Sequence, residues 1–359
     1  MPVIVTADFP PSIGGIQRYM ERVADGFAAS GHRVAVVAPA LPNAGDGERG
    51  YDVLRYATES RLATLVAMDR AIAAAERRVG DGVLIASSWK PAGIVAARRR
   101  FRSRGKLAVL AFGSEIARAD TVPRRIAMRA VFGRADAVIS ISRFTSQQLR
   151  DAGIDRVPVL AGCGVDHGYF RPKPGLVPTI LSVGRLVRRK GFDRVIAALP
   201  ALRERFPGLR YEIVGDGPDR PYLAERAREL GVERDVAFLG AASDEETRAA
   251  YERAWCFALP VRRERHDVEG FGLVYLEAAT ARLAAIGGRG SGAEDAICHG
   301  ETGLLVDGTS DAEVRHALGV LLGDRDFATM LSDAAYERAV RDFSWDRVTD
   351  AIARSVGLA

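Results

Sequence analysis

Gly184-Arg185-Leu186-Val187-Arg188-Arg189-Lys190-Gly191 sets two spaced cations between glycines, after the β-rich run Thr179 to Val183 and before a helical stretch, Phe192 to Leu202. Such a turn suits a diphosphate, since the Arg185 guanidinium offers a planar fork and the Lys190 ammonium a point charge. The plainer alternative is a basic loop at a helix start. Asp267-Val268-Glu269-Gly270-Phe271-Gly272-Leu273-Val274-Tyr275-Leu276-Glu277 adds two carboxylates eight residues apart, with glycines beside the first and an apolar run to the second. A helix beginning near Gly272 would turn unpaired N–H groups towards a phosphate and carry Glu277 on its wall. That spacing is a little over two turns, so both carboxylates would face one cleft, Glu277 towards a ribose diol and Glu269 towards hexose hydroxyls. The alternative is a pair of surface glutamates.

Two glycine turns carry less. Pro10-Pro11-Ser12-Ile13-Gly14-Gly15 lies between a first strand and its helix, where a Gly-Gly pair lets backbone approach a ligand. Val214-Gly215-Asp216-Gly217-Pro218 resembles the start of a dinucleotide fingerprint, but Arg220 stands where its third glycine belongs, which argues against NAD. The sequence has no P-loop, no histidine-rich metal cluster and no serine nucleophile elbow. No cofactor or metal is therefore expected, and the charge on a leaving diphosphate would be neutralised by protein groups alone.

These segments sit in an alternation of short β-rich and helical runs, the pattern of parallel sheets covered on both faces. Strands are expected near 2–6, 33–38, 83–87, 107–111, 137–141 and 157–160. Ile16, Tyr19, Met20, Val23 and Phe27 recur at helical spacing until Gly31. A proline-rich patch from Arg171 to Pro178 reads as a connector. A second series follows, with strands near 179–184, 210–214, 235–239, 255–259, 283–286 and 304–306. The expected architecture is α/β, two doubly wound Rossmann-like domains facing across a cleft: 1–172, 173–340, and a helix in 341–359 crossing back to the first. Ligands of such sheets bind beyond the carboxyl ends of the strands.

Composition agrees with a chain of 359 residues folded as two soluble domains: 48% hydrophobic, 27% charged. No apolar run is long enough to span a bilayer, and Met1 to Val5 reads as a strand and not as a secretory leader. Cys163, Cys256 and Cys298 are widely spaced and fit a reducing cytoplasm. The net charge of +5 is uneven, with 24 Lys and Arg against 16 Asp and Glu over residues 1–170 and 27 against 30 over the rest. Arg98, Arg99, Arg100, Arg102, Arg104 and Lys106 cluster around Phe101, and Arg124, Arg125 and Arg129 follow. Either this is a solvated helix end or it is a face for anionic lipid or an anionic acceptor, which would place the chain at the inner face of the plasma membrane. No nucleic-acid partner is expected.

Taken together, Glu269-x7-Glu277, Gly184-Arg185-x4-Lys190-Gly191 and Gly14-Gly15 resemble the retaining GT-B glycosyltransferases of family 4 over nearly the whole chain. Asp8 to Tyr19 and Asp267 to Ala278 look more narrowly like the bacterial phosphatidylinositol mannoside mannosyltransferases, which use GDP-mannose. The resemblance implies a retaining, metal-independent hexosyltransferase with a nucleotide diphosphate sugar as donor and a hydroxyl of a lipid-linked or glycan acceptor. Arg185, Lys190 and Glu269 would carry catalysis. The donor would lie against Gly184, Gly215, Gly270, Phe271, Gly272, Leu273, Val274 and Glu277, with Gly14 and Gly15 closing on its phosphate. Asp8, Phe112, Gly113 and Glu115 would form the acceptor and sugar side. Ser291 to Glu294 fits the family's small-residue loop near the donor.

Two places depart from the family pattern. Phe112 stands where a histidine followed by glycine is usual, and a phenylalanine ring donates no hydrogen bond. Arg282-Leu283-Ala284 replaces the usual Gly-x-Pro turn, which should loosen or reshape it. Alternatives are a UDP-sugar enzyme acting on a small acceptor, a non-catalytic relative, or an epimerase of the same architecture.

Overall fold

The protein is described from a computed structural model, which covers residues 1–12, 14–41, 49–58, 60–80, 82–90, 92–99, 105–168, 170 and 172–358. Ile13 of the first glycine loop, Arg171 and the Arg100 to Arg104 part of the basic cluster lie outside the described residues.

The first series runs β1 (Pro2–Val5), α1 (Gly15–Ala29), β2 (Ala35–Pro39), β3 (Asp52–Tyr56), α2 (Arg61–Val79), β4 (Val83–Ala86), α3 (Ala92–Arg99), β5 (Lys106–Ala111), α4 (Ser114–Ala117), α5 (Val122–Arg134), β6 (Ala137–Ser140), α6 (Arg143–Asp151) and β7 (Val159–Leu160). All strands pair in parallel in the order β3-β2-β1-β4-β5-β6-β7. β1, β4 and β6 are buried throughout, so their apolar runs are continuous, as parallel strands covered on both faces require. α1 turns Tyr19, Met20, Val23, Ala24 and Phe27 into the core from positions three and four apart. The strand β3 is absent from the sequence reading. It is one of the two edge strands, only Tyr56 is buried, and Asp52 and Arg55 break any apolar run.

The second series runs β8 (Thr179–Val183), a 3₁₀ turn (Arg188–Lys190), α7 (Phe192–Arg205), β9 (Arg210–Val214), α8 (Arg220–Glu229), β10 (Val236–Gly240), α9 (Asp244–Arg253), β11 (Cys256–Leu259), α10 (Leu273–Thr280), β12 (Ala285–Gly288), α11 (Ala293–Ala296), β13 (Leu304–Val306), α12 (Asp311–Gly323) and α13 (Arg325–Asp342), and α14 (Trp345–Val356) follows. Its six strands are parallel in the order β10-β9-β8-β11-β12-β13.

The chain divides into two compact units, residues 1–164 with 345–359 and residues 165–344. The proline-rich patch belongs to the second, because Lys173 N–H and Gly175 N–H donate to the carbonyls of Glu252 and Arg253 and the Trp255 indole donates to Gly175. α14 belongs to the first. It buries Val348, Ile352 and Val356, and Trp345 packs edge-on against Tyr19 of α1.

Each sheet reverses its winding once, between β1 and β4 and between β8 and β11. Loops diverge there, leaving a crevice beyond the carboxyl ends of the strands.

Candidate active site

In the second unit the cationic turn leaves β8 at this reversal. Its first half is laced to the neighbouring turn after β9: Gly184 N–H donates to Val214 O, Leu186 N–H to Asp216 O and Asp219 N–H to Leu186 O, all at 2.9–3.1 Å. Gly215, at φ +124°, lies so close that a Cβ on it would overlap the Gly184 carbonyl. The glycines after β9 thus let two turns pack backbone to backbone.

The second half is the 3₁₀ turn, where three residues per turn send three successive side chains in different directions. Arg188 stacks on Tyr222, 3.4 Å from the ring centre, and reaches Asp219. Arg189 donates from Nε to Asp267 Oδ2 at 3.0 Å and from Nη1 to Glu269 Oε2. Lys190, buried, places Nζ 2.6 Å from the same Glu269 oxygen. Arg185 is exposed and makes no hydrogen bond or ion pair among the described residues.

Glu269 lies in the loop after β11, and Glu277 on α10, which starts after Gly272 as expected. What places Glu269 is its backbone carbonyl, which accepts Gly292 N–H at 2.9 Å, and the two cations on its side chain. Its carboxyl is 12% exposed. Burial pushes its pKa up, but Lys190 and Arg189 outweigh that and hold it at about 2. Oε1 accepts no hydrogen bond among the described residues.

α10 starts at Leu273, after Gly272 in the left-handed region at φ +88°, where a Cβ would run into the Tyr275 ring. That ring is fixed in turn, its hydroxyl donating to Leu259 O at 2.6 Å. The N–H groups of Leu273 and Val274, first in the helix, donate to no acceptor among the described residues. Gly270 and Phe271 are buried beside them, Phe271 edge-on to Phe343. Glu277 is half-buried and accepts the Tyr251 hydroxyl at 2.9 Å. At Ser291 the side chain donates to Gly288 O, and Glu294 accepts Gly290 N–H, which closes the small-residue loop on itself.

The turn at Arg282 is kept, contrary to the expected loosening. Leu283 N–H donates to Ala278 O and Arg282 N–H to Ala279 O, the helix-ending pattern that glycine favours. Arg282 adopts φ +54° without being glycine, and its guanidinium lies 4.0 Å from the Tyr336 ring centre and pairs with Asp333.

In the first unit, Gly14 caps α1 and Gly15 opens it. The preceding loop is braced by Arg55, which donates to Pro10 O at 2.7 Å from β3. Asp8 accepts from Gln17 Nε2 at 3.2 Å, and burial raises its pKa. Beyond β5, Phe112 is buried with its ring edge-on to Tyr19, centres 5.2 Å apart. Gly113, at φ +107°, caps α4, and Glu115 turns its carboxylate back to accept Phe112 N–H at 2.7 Å. Burial raises the Glu115 pKa. Phe112 and Glu115 therefore build the turn itself.

Sequence reasoning missed Arg189 and Tyr251. Arg189 stood in the cation run, but neighbouring cations in a 3₁₀ turn diverge, and the sequence does not say which one faces Glu269. Tyr251 carried no signal, being an aromatic of α9 distant in sequence from Glu277.

Comparison with known proteins gives a consistent answer. The family model described as Glycosyltransferase Family 4 matches residues 13–169, and that described as Glycosyl transferases group 1 matches residues 171–338. The GDP-mannose-dependent alpha-(1-6)-phosphatidylinositol monomannoside mannosyltransferase of Mycobacterium tuberculosis is 32% identical, covering 98% of this chain and 96% of that protein. The enzyme of that description from Mycolicibacterium smegmatis is also 32% identical, covering 96% and 94%. Among solved structures, sucrose-phosphate synthase from Thermosynechococcus elongatus superposes with a TM-score of 0.85 at 23% identity, covering 98% of this chain and 97% of that one. Anabaena HepE in complex with UDP and glucose superposes with a TM-score of 0.84 at 19% identity over the whole of both chains.

Proposed function

We propose, from the premise that the chain belongs to the family 4 glycosyltransferases of GT-B fold, that it transfers mannose from GDP-mannose to a hydroxyl of a phosphatidylinositol mannoside, with retention and without metal. The observation that carries this reading is the ion pair of Lys190 with Glu269 beside Gly272, at the open N-terminus of α10. Relatives named for GDP-mannose and a phosphatidylinositol mannoside support the choice of donor and acceptor.

In this reading Arg185 and Lys190 take the diphosphate, the N–H groups of Leu273 and Val274 take a phosphate oxygen, Glu269 accepts from mannose hydroxyls and Glu277 from the ribose. Gly184 and Gly215 hold the turns after β8 and β9 together beside the nucleotide, and Gly270, Phe271 and Gly272 shape the floor under sugar and phosphate. The first unit takes the acceptor, with Asp8 and the Phe112-Gly113-Glu115 turn along its loops.

As the bond from the anomeric carbon to the phosphate oxygen breaks, positive charge grows on the ring and negative charge on GDP. Cations turned to the diphosphate and helix N–H groups favour that separated state over the ground state. The acceptor oxygen then bonds to the anomeric carbon on the face GDP leaves, and its proton passes to the departing phosphate oxygen. No protein side chain need act as nucleophile or base.

No helix among the described residues is long and apolar enough to cross a membrane. A lipid acceptor would be met at a bilayer surface, and α5 supports this with Val122 and Ile126, 70% and 64% exposed one turn apart, beside Arg124, Arg125 and Arg129.

The test is transfer from radiolabelled GDP-mannose to phosphatidylinositol monomannoside in detergent micelles, with and without EDTA, against UDP-glucose as rival donor. Transfer from GDP-mannose that survives EDTA is the expected result. Transfer from UDP-glucose alone, or EDTA-sensitive transfer, overturns the reading.

A further inference from the structure

Two unlike cations meet on one oxygen of Glu269. Lys190 is a point charge on a flexible stem, and Glu269 is its one acidic partner among the described residues. Arg189 is fixed on three sides: Nη1 on Glu269 Oε2, Nε on Asp267 Oδ2 at 3.0 Å, and its carbonyl under Arg262 N–H at 2.8 Å. Arg262 is itself buried, with Nη1 on Asp193 Oδ1 and Nε on Glu264 Oε1, both at 2.8 Å. Glu264 and Asp267 exchange backbone hydrogen bonds, which closes the turn that carries them. The Arg189 guanidinium is thus bridged between two carboxylates, and the Lys190 ammonium rests on one.

A diphosphate arriving beside Lys190 would compete with Glu269 for its ammonium. A carboxylate this buried that lost its only cation would be strongly destabilised. With Arg189 in place it would keep a charge-assisted hydrogen bond and its orientation. We infer that Arg189 is a positioning residue for the transfer: it compensates and orients the Glu269 carboxylate, leaving Oε1 open to the sugar and Lys190 able to turn to the diphosphate. This rests on the reading that Glu269 meets the transferred hexose. The charged and titratable groups facing Glu269 are Lys190 and Arg189 from the 3₁₀ turn, Asp267 from its own loop and Tyr275 from α10.

The experiment compares Arg189→Gln, Arg189→Lys, Glu269→Gln and Arg185→Ala for GDP affinity, GDP-mannose affinity and the pH profile of kcat/KM. For Arg189→Gln the expectation is GDP affinity within about threefold of wild type, loss of the gain in affinity that mannose gives, and kcat/KM lower by roughly thirtyfold or more. Its acid limb should move to higher pH, because one of the two cations holding Glu269 ionised is gone. Arg189→Lys should restore the acid limb but only part of the rate, since the charge returns without the fork. If Arg189→Gln does not fold, Arg189→Lys still decides: a wild-type rate overturns the inference. A loss of GDP affinity matching that of Arg185→Ala would make Arg189 a phosphate ligand and also overturn it. An unchanged rate and pH profile in Arg189→Gln alongside an inactive Glu269→Gln would reject Arg189 and leave the sugar site standing. Wild-type turnover in Glu269→Gln would reject the sugar site itself.

Discussion

Tyr251 of α9 donates its hydroxyl to Glu277 Oε2 of α10 at 2.9 Å, and its ring stacks on Phe257 of β11 with centres 5.9 Å apart. The second glutamate of the pair is therefore held from outside its own helix. A hydrogen bond to a charged group contributes about 1.5–3 kcal/mol. Tyr251→Phe should weaken GDP binding roughly tenfold by calorimetry while leaving turnover at saturating donor close to wild type. Equal affinity in the variant would free Glu277 of any dependence on Tyr251.

Gly215→Ala tests the packing of the two turns. The substitution meets both a φ of +124° and the Gly184 carbonyl, so neither turn can yield without moving the other. The expected loss is at least about 2 kcal/mol in urea unfolding, with GDP affinity falling in parallel. A stable variant with intact binding would show that the two turns can separate without consequence.

Acid should reach Glu269 late. Its folded pKa, about 2, lies below the usual carboxylate value, so its contribution is present above about pH 4.3 and is lost as pH falls towards 2. The full effect is on the order of 3 kcal/mol. Urea unfolding of wild type and Glu269→Gln should differ widely at pH 6, and the gap should close by roughly half near pH 3. A gap independent of pH would mean that Glu269 is not held by Lys190 and Arg189 in solution.

Arg185 and Lys190 should both matter for rate. Donors to developing charge are typically worth about 3–4 kcal/mol, so either alanine variant should turn over roughly a hundred- to thousandfold more slowly. Wild-type turnover in either would remove it from the proposed site.

Phe112 packs against Tyr19 in the first unit's core. Phe112→His should lower the melting temperature through lost packing while turnover stays within about threefold. A large gain in rate would mean that the ring stands in a catalytic position.

Much of this was legible before the structure. Parallel strands buried on both faces leave continuous apolar runs, so Pro2 to Val5 and Thr179 to Val183 announce themselves, and the edge strand Asp52 to Tyr56 does not. The cationic turn and the glutamate pair could be found because glycine marks where loops leave strands. What escaped depends on pairing between distant segments. Nothing local joins Arg189 to Asp267, or Tyr251 to Glu277. The Arg282 turn departs from expectation for a related reason: a left-handed residue other than glycine is held by Tyr336 and Asp333, and neither is its neighbour in sequence.

The return of α14 to the first unit has a consequence for how the chain is made. A ribosome completes residues 1–164 long before it reaches Trp345, so the earlier unit emerges with its Tyr19 face bare and must wait through synthesis of the whole later one for the helix that covers it. The part translated first is the part finished last.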